Sequence, residues 1–436
     1  MDRRFYGDSP LSLSLSNPIV PDLRFGFAPL PDAFPGYDPA GDARALVPAG
    51  FASPALAPVP GRLLRGSLGV GQRFFVRIPD AWNGKLVVCG TPAMRSEHAN
   101  DLTIGEWLLT RGYAIASSNK GIPYNAVVEA WSQTPDAASA YRVPFPFGEA
   151  APGETAIRFG ALDPVVVTVR AWQDDLPSLV RAAREFVREA TGRGPTRTYA
   201  VGLSIGGGQV RALLEREPDL VDGGLEWASV YWHPEQNILT TLPPFLAAMA
   251  PYVTSGFANR DAHEAIVAAG YPPDRLQDAP RLRSLWDAYY SALPPFYADL
   301  TTFAFARLLD PEAGKLDSLA ARADYRLSST ARANIAAFAH TGKIEKPLIG
   351  IAGDADAFIT PHHNFDAYLD AVCAAGRGDR YWPTLVAGGT HVDGFAAFGW
   401  NLQPMLPFVW RGFETLIAIV EEGARPPGAG VVTRVS

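Results

Sequence analysis

Apolar positions along this chain follow two different rhythms. Between residues 61 and 232, short apolar runs alternate with longer stretches at helical spacing. The runs at 72–78, 86–89, 114–117, 198–201 and 225–231 have the length and side-chain character of strands. Helices are expected over 102–111, 165–191 and 207–217. In the second of these, Leu176, Leu179, Val180, Ala183 and Phe186 recur every three or four residues, so one long face is apolar and needs a surface to pack against. Strands that alternate with helices imply a mostly parallel, doubly wound α/β sheet with helices on both faces.

The alternation breaks over 233–340. Proline pairs appear in Leu242-Pro243-Pro244-Phe245, Tyr271-Pro272-Pro273 and Leu293-Pro294-Pro295-Phe296, with helical patterns at 281–292, 300–309 and 320–338. The aromatics there (among them Phe245, Tyr252, Trp286, Tyr289 and Phe305) are too many for a surface. Most are expected to form the segment's own core, and a few to line a pocket. The segment is therefore expected to be an inserted helical cap. Strand-like runs resume at 346–353 and 381–386, and a helix is expected at 408–422. Residues 1–60 are rich in proline, glycine and small side chains and are expected to form an extended arm. The chain thus divides into 1–60, a first core part 61–232, the insertion 233–340 and a second core part 341–436.

Candidate chemistry centres on Gly202-Leu203-Ser204-Ile205-Gly206, which follows a strand-like run and leads into a helical one. A strand turning abruptly into a helix forces the central residue into a strained conformation, and glycines beside it avoid clashes. The serine hydroxyl is then presented at the carboxyl edge of a sheet, above the positive end of a helix. A serine that merely caps that helix is the plainer alternative. Two later segments supply partners. Asp354-Ala355-Asp356 follows the run at 346–353, and His391 follows the run at 381–386 within Ala387-Gly388-Gly389-Thr390-His391. Asp356 is the first choice for the acid, Asp354 the second and Glu226 the third. Of the seven histidines, only His391 sits in a glycine-bracketed loop just after a late strand. His362 and His363 are expected in a solvated first helical turn, without metal-ligand spacing, and His98 either at the surface or along a pocket.

Hydrolysis through a serine also needs backbone N–H donors for the developing oxyanion. Ile205, just after the serine, supplies one. The other should come from the loop Gly90-Thr91-Pro92-Ala93; Pro92 has no N–H, so Thr91 is preferred and Ala93 is the reserve. Lys120, past the run at 114–117, is a candidate for binding a substrate carboxylate, or else a solvated turn lysine. Asp174-Asp175 reads as the exposed face of a helix.

Composition narrows the partners. Net charge is −7 and hydrophobic residues make up 47%, with no basic cluster, so nucleic acid is not an expected partner. No apolar run is long enough for a membrane span. Only Cys89 and Cys373 occur, and both read as reduced core or near-core residues. The first residues are basic with no continuous apolar stretch behind them. That arrangement is expected of a cytoplasmic chain, or of a secreted one whose leader was removed. No metal or cofactor is expected.

The stretch Phe75-Val76-Arg77-Ile78-Pro79-Asp80-Ala81-Trp82-Asn83-Gly84-Lys85-Leu86-Val87-Val88 resembles the opening of α/β-hydrolases related to tannases and feruloyl esterases. Segments 111–118, 202–206 and 217–223 are similar in kind, and the order serine, aspartate, histidine is that of the α/β-hydrolases. The resemblance spans most of 70–232 and 344–400. It implies a serine esterase with Ser204, Asp356 and His391 as triad and a small-molecule ester, apolar or aromatic, as substrate. Two features depart from that group. Cys89-Gly90 stands where many relatives have His-Gly, and no disulfide partner lies beside Ser204. A peptidase or amidase with the same triad, or a binding protein on the same fold, are the rival readings.

Overall fold

A computed structural model of the chain describes residues 19–24, 58–69, 72–92, 97–120, 147–148, 158–159, 169–278, 283–289, 305–306, 309–313, 316 and 319–436. Most of the expected N-terminal arm lies outside them, as does Ala93.

Among the described residues the strands are β1 (Ile19–Val20), β2 (Gly61–Gly69), β3 (Gln72–Pro79), β4 (Lys85–Gly90), β5 (Ala114–Ser118), β6 (Phe147–Gly148), β7 (Arg158–Phe159), β8 (Arg197–Leu203), β9 (Gly223–Trp227), β10 (Leu348–Gly353), β11 (Tyr381–Val386) and β12 (Thr433–Val435). Ten of them form one sheet in the order β1-β2-β3-β5-β4-β8-β9-β10-β11-β12, and β6 and β7 pair separately. From β5 to β12 every neighbouring pair is parallel, whereas β1, β2 and β3 join antiparallel. All parallel strands therefore deliver their carboxyl ends to one edge, where the loops that follow them gather.

Helices among the described residues include α1 (Glu106–Leu109), α2 (Val169–Thr191), α3 (Ile205–Arg216), α4 (Ile238–Thr254), α5 (Arg260–Ala268), α6 (Leu285–Asp287), α7 (Leu319–Ala323), α8 (Ser329–Ala336), α9 (Ala367–Ala374) and α10 (Leu406–Glu422). The strands alternate their side chains between two buried layers. Val88, Ala116 and Phe74 face Leu176, Leu179, Val180, Ala183 and Phe186 of α2. Val87, Ile115, Tyr199 and Ile351 face Val409, Phe413 and Leu416 of α10. Because both faces are covered, β4 reads as a continuous apolar run rather than an alternating one. Phe413 meets the edges of Trp107, Tyr113 and Tyr199 at 5.6–5.9 Å, an arrangement aromatic quadrupoles favour.

Several expectations need correction. The run at 225–231 is strand only to Trp227. Ala228 takes a left-handed φ of 46°, and the chain leaves the sheet so that Val230 N can reach Ser204 O. The helix expected over 320–338 is two helices. Ser328 caps α8 by accepting from Ala331 N, and its hydroxyl is itself tied to Asp310, which breaks the helix there. Of the helix expected at 281–292, only short α6 and the turn after it are described, and of 300–309 only 305–306 and 309. Cys373 is exposed rather than near the core, while Cys89 is buried as expected; both are free thiols.

Candidate active site

Ser204 ends β8 and begins α3 with φ 59° and ψ −120°. A non-glycine residue in that region stores roughly 1–3 kcal/mol of strain, so the surroundings must hold it. They do so through its backbone. Ser204 N donates to Trp227 O at 2.8 Å, and Ser204 O accepts from Gly208 N and Val230 N, both at 3.1 Å. The flanking glycines are required by close approach. A Cβ on Gly202 would lie 2.1 Å from Gly206 O, and one on Gly206 would lie 2.1 Å from Gly90 O. The helical hydrogen bonds start with Gly208 N, which leaves the Ile205 N–H among the donors a helix cannot satisfy internally.

Asp356 and His391 come from loops after adjacent parallel strands, β10 and β11. His391 Nδ1 lies 2.8 Å from Asp356 Oδ2. The other carboxylate oxygen accepts from Phe358 N at 2.8 Å and Ile359 N at 3.0 Å, so Asp356 is fully engaged and completely buried. The two loops touch through glycine: a Cβ on Gly353 would sit 2.2 Å from Gly389 C. Ser204 and His391 are both buried, and both stand at the carboxyl edge of the sheet.

The competing acids are placed elsewhere. Asp354 accepts from Gly388 N at 2.7 Å. Glu226 is buried on β9, where it accepts from Arg211 Nη2 at 2.9 Å and from the Tyr381 hydroxyl. Histidines other than His391 also have structural partners. His98 is not a surface residue: its ring joins the buried pair Arg77–Asp101 and stacks on Phe75. His340 bridges Trp232 N and Gly208 O, and burial holds its ring well below the ordinary histidine value. His363 is half-buried against Thr360 rather than solvated, and burial together with neighbouring His362 lowers it to about 4.

Two further expectations are overturned beside β4 and β5. Lys120 is not solvated: its side chain is buried and Nζ donates to Thr91 O at 2.7 Å. Asp175 is not on an exposed face of α2. Its carboxylate is buried, accepting from the Ser118 hydroxyl at 2.5 Å and from Gln72 Nε2 at 3.1 Å. Burial pushes that carboxyl upward, opposed by the Ser118 hydrogen bond and the charge of Lys120. Asn100, which no sequence pattern marks, donates from Nδ2 to Gly90 O at 3.1 Å.

An aromatic wall surrounds His391. The Tyr289 hydroxyl accepts from His391 N at 3.1 Å; its ring stacks on Phe395 at 4.0 Å and meets the edge of Phe358, which also contacts the imidazole at 5.5 Å. Tyr289 belongs to the 233–340 segment and was only one of many aromatics in the sequence. Among the described residues no group of three or more His, Cys, Asp or Glu side chains could hold a metal, and no helix is long and apolar enough to cross a membrane.

No family model and no curated protein matches the sequence. In structure the chain is similar to feruloyl esterase B from Aspergillus oryzae, with 14% identity and a TM-score of 0.51 over 87% of this chain and 86% of that one. It is also similar to a tannin acyl hydrolase from Aspergillus niger, with 12% identity and a TM-score of 0.49 over 89% and 88% of the two chains. The strand order, the strand-to-helix turn at Ser204 and the likeness to feruloyl esterase B agree on one architecture, and the chain has the α/β-hydrolase fold.

Proposed function

We propose that the protein is a serine hydrolase that cleaves a carboxylic ester through an acyl-enzyme on Ser204. One observation carries this reading: a strained serine at a strand-to-helix turn shares a sheet edge with a buried His391–Asp356 pair held at 2.8 Å. Each part has a role in the chemistry. Asp356 takes the Nδ1 proton of His391 as a hydrogen bond and so leaves Nε2 free to accept. Ser204 Oγ attacks the ester carbonyl while His391 Nε2 takes its proton. The tetrahedral oxyanion is met by the N–H groups of Ile205 and Thr91. His391 then protonates the departing alcohol, and water repeats the sequence to release the acid.

The 233–340 segment acts as a cap, supported by the reach of Tyr289 to the backbone of His391. Tyr289, Phe358 and Phe395 beside the imidazole favour an apolar or aromatic substrate of moderate size. The test is a panel of short, long and aromatic esters, a feruloyl ester among them because the similar structure is a feruloyl esterase, each with its matched amide. Ester turnover that disappears in both Ser204→Ala and His391→Ala supports the reading. Turnover of amides in preference to esters moves it to a peptidase, and activity that survives both substitutions removes it.

A further inference from the structure

The loop after β4 is held by two side chains from different parts of the chain, Asn100 and Lys120, which bond the successive carbonyls of Gly90 and Thr91. The Gly90–Thr91 peptide carries the Thr91 N–H, and its own carbonyl, Gly90 O, accepts from Asn100 Nδ2 at 3.1 Å. A trans peptide points its N–H opposite to its C=O, so fixing that carbonyl fixes the direction of the Thr91 N–H. The next carbonyl, Thr91 O, accepts from Lys120 Nζ at 2.7 Å, and Thr91 Oγ1 donates to Ser118 O at 2.5 Å. Gly206 lies flat against the same peptide: a Cβ there would be 2.1 Å from Gly90 O, 2.3 Å from Gly90 C and 2.8 Å from Thr91 N. The turn is thereby clamped between the serine elbow on one side and Lys120 on the other.

Lys120 is itself placed at some cost. Its φ is 56°, unusual for a residue with a Cβ, and it is buried. The turn beneath it is locked, with Arg73 N donating to Asn119 Oδ1 at 2.9 Å and Asn119 N donating to Arg73 O at 3.0 Å. Ser118 Oγ, anchored on Asp175, faces Lys120 N at 3.4 Å. Strain and a buried ammonium kept together at one sheet edge point to a task at that edge.

We infer that Lys120 is a positioning residue for the hydrolytic reaction: by holding Thr91 O while Asn100 holds Gly90 O, it fixes the conformation of Thr91 so that the Thr91 N–H serves as the second oxyanion donor. The inference rests on the serine-hydrolase reading and adds a residue to it. Lys120 touches no reacting atom; it acts through Thr91, whose carbonyl it holds while Asn100 holds the preceding one.

The test compares wild type with Lys120→Met, which keeps the stem and removes the donor, Lys120→Arg, which restores a donor and charge, and Asn100→Ala. A fluorescent phosphonate counts active serines, and kcat is expressed per labelled site on an aryl ester. Affinity for a trifluoromethyl ketone, which forms a tetrahedral oxyanion on the serine, is measured beside KM. Lys120→Met should lower kcat per site by at least about tenfold, short of the roughly 10²–10³-fold that losing a whole donor costs. The ketone should weaken in parallel while KM stays within about threefold, as expected for an interaction made only in the transition state. Lys120→Arg should recover part of the loss. Unchanged kcat per site and unchanged ketone affinity overturn the inference, even if the melting temperature falls. Should Lys120→Met not fold, Asn100→Ala decides by the same two readouts. Failure of wild type to label or turn over any ester is a different outcome, which removes the serine-hydrolase reading and with it the inference.

Discussion

Replacing Asp356 by asparagine changes one atom, and the structure dictates which way the new amide must face. Asp356 Oδ1 accepts from two backbone donors, Phe358 N and Ile359 N, at 2.8 and 3.0 Å. Turning an NH₂ toward them would orphan both buried donors, at about 1–3 kcal/mol each. The amide oxygen therefore stays on that side, and Nδ2 takes the place of the oxygen 2.8 Å from His391 Nδ1. Facing a donor, Nδ1 must accept, so the imidazole proton moves to Nε2, the nitrogen that should receive the Ser204 proton. The fold keeps every hydrogen bond while the base is in the wrong tautomer. A loss of about 10⁴ in kcat, or about 5.5 kcal/mol of barrier, follows from that single inversion. The assay is ester hydrolysis with urea unfolding alongside, and the unfolding midpoint should barely move. Asp354→Asn is the control, because an amide oxygen can still accept from Gly388 N. Asp356→Asn keeping more than about a tenth of wild-type kcat, where the triad template loses about 10⁴, would refute the argument. So would Asp354→Asn losing as much as Asp356→Asn.

Gly206→Ala places a methyl 2.1 Å from Gly90 O, too close for anything but backbone movement. It should cost about 1–3 kcal/mol of stability by overpacking and also lower kcat, because the peptide that moves carries the Thr91 N–H; unchanged kcat would detach that peptide from catalysis. Asp393 is buried and accepts from Met405 N and Leu406 N at the start of α10, and burial raises its carboxyl to about 6. The folded state thus binds this proton more tightly than the unfolded one, so its contribution to stability is largest below pH 4 and is lost as pH rises toward 6, by up to about 3 kcal/mol. His363, lowered to about 4, works in the opposite sense, removing stability as pH falls from 6.5. The check is therefore the difference between wild type and Asp393→Asn in unfolding free energy from pH 4 to 7, which should narrow as pH falls if the carboxyl is responsible for the slope; a constant difference would contradict it.

The fold was legible because strands buried on both faces announce themselves as uninterrupted apolar runs, as in Leu86-Val87-Val88-Cys89, and α2 carries a clear apolar face. The strand-to-helix turn at Ser204 was legible through the glycines its close packing demands, and the place of His391 after β11, within reach of Asp356, through a glycine-bracketed loop. Lys120 and Asp175 were misread because local sequence records only that a charge stands in a turn or on a helix. Their burial comes from contacts to Thr91, Ser118 and Gln72, which lie far away along the chain. Asn100 left no trace for the same reason. The strand expected to run to Tyr231 stopped at Trp227 because Val230 N is needed at Ser204 O, a tertiary demand that apolar character alone cannot report.

The most direct test of the central claim is labelling of the intact protein by a fluorescent alkyl phosphonate, compared with Ser204→Ala and His391→Ala. One label per wild-type chain is expected, located on Ser204 by mass spectrometry of the digested protein. Ser204→Ala should take no label, and labelling of His391→Ala should be slowed by several orders of magnitude. A wild-type chain left unlabelled by probes of several sizes, or labelled at a residue other than Ser204, would contradict it.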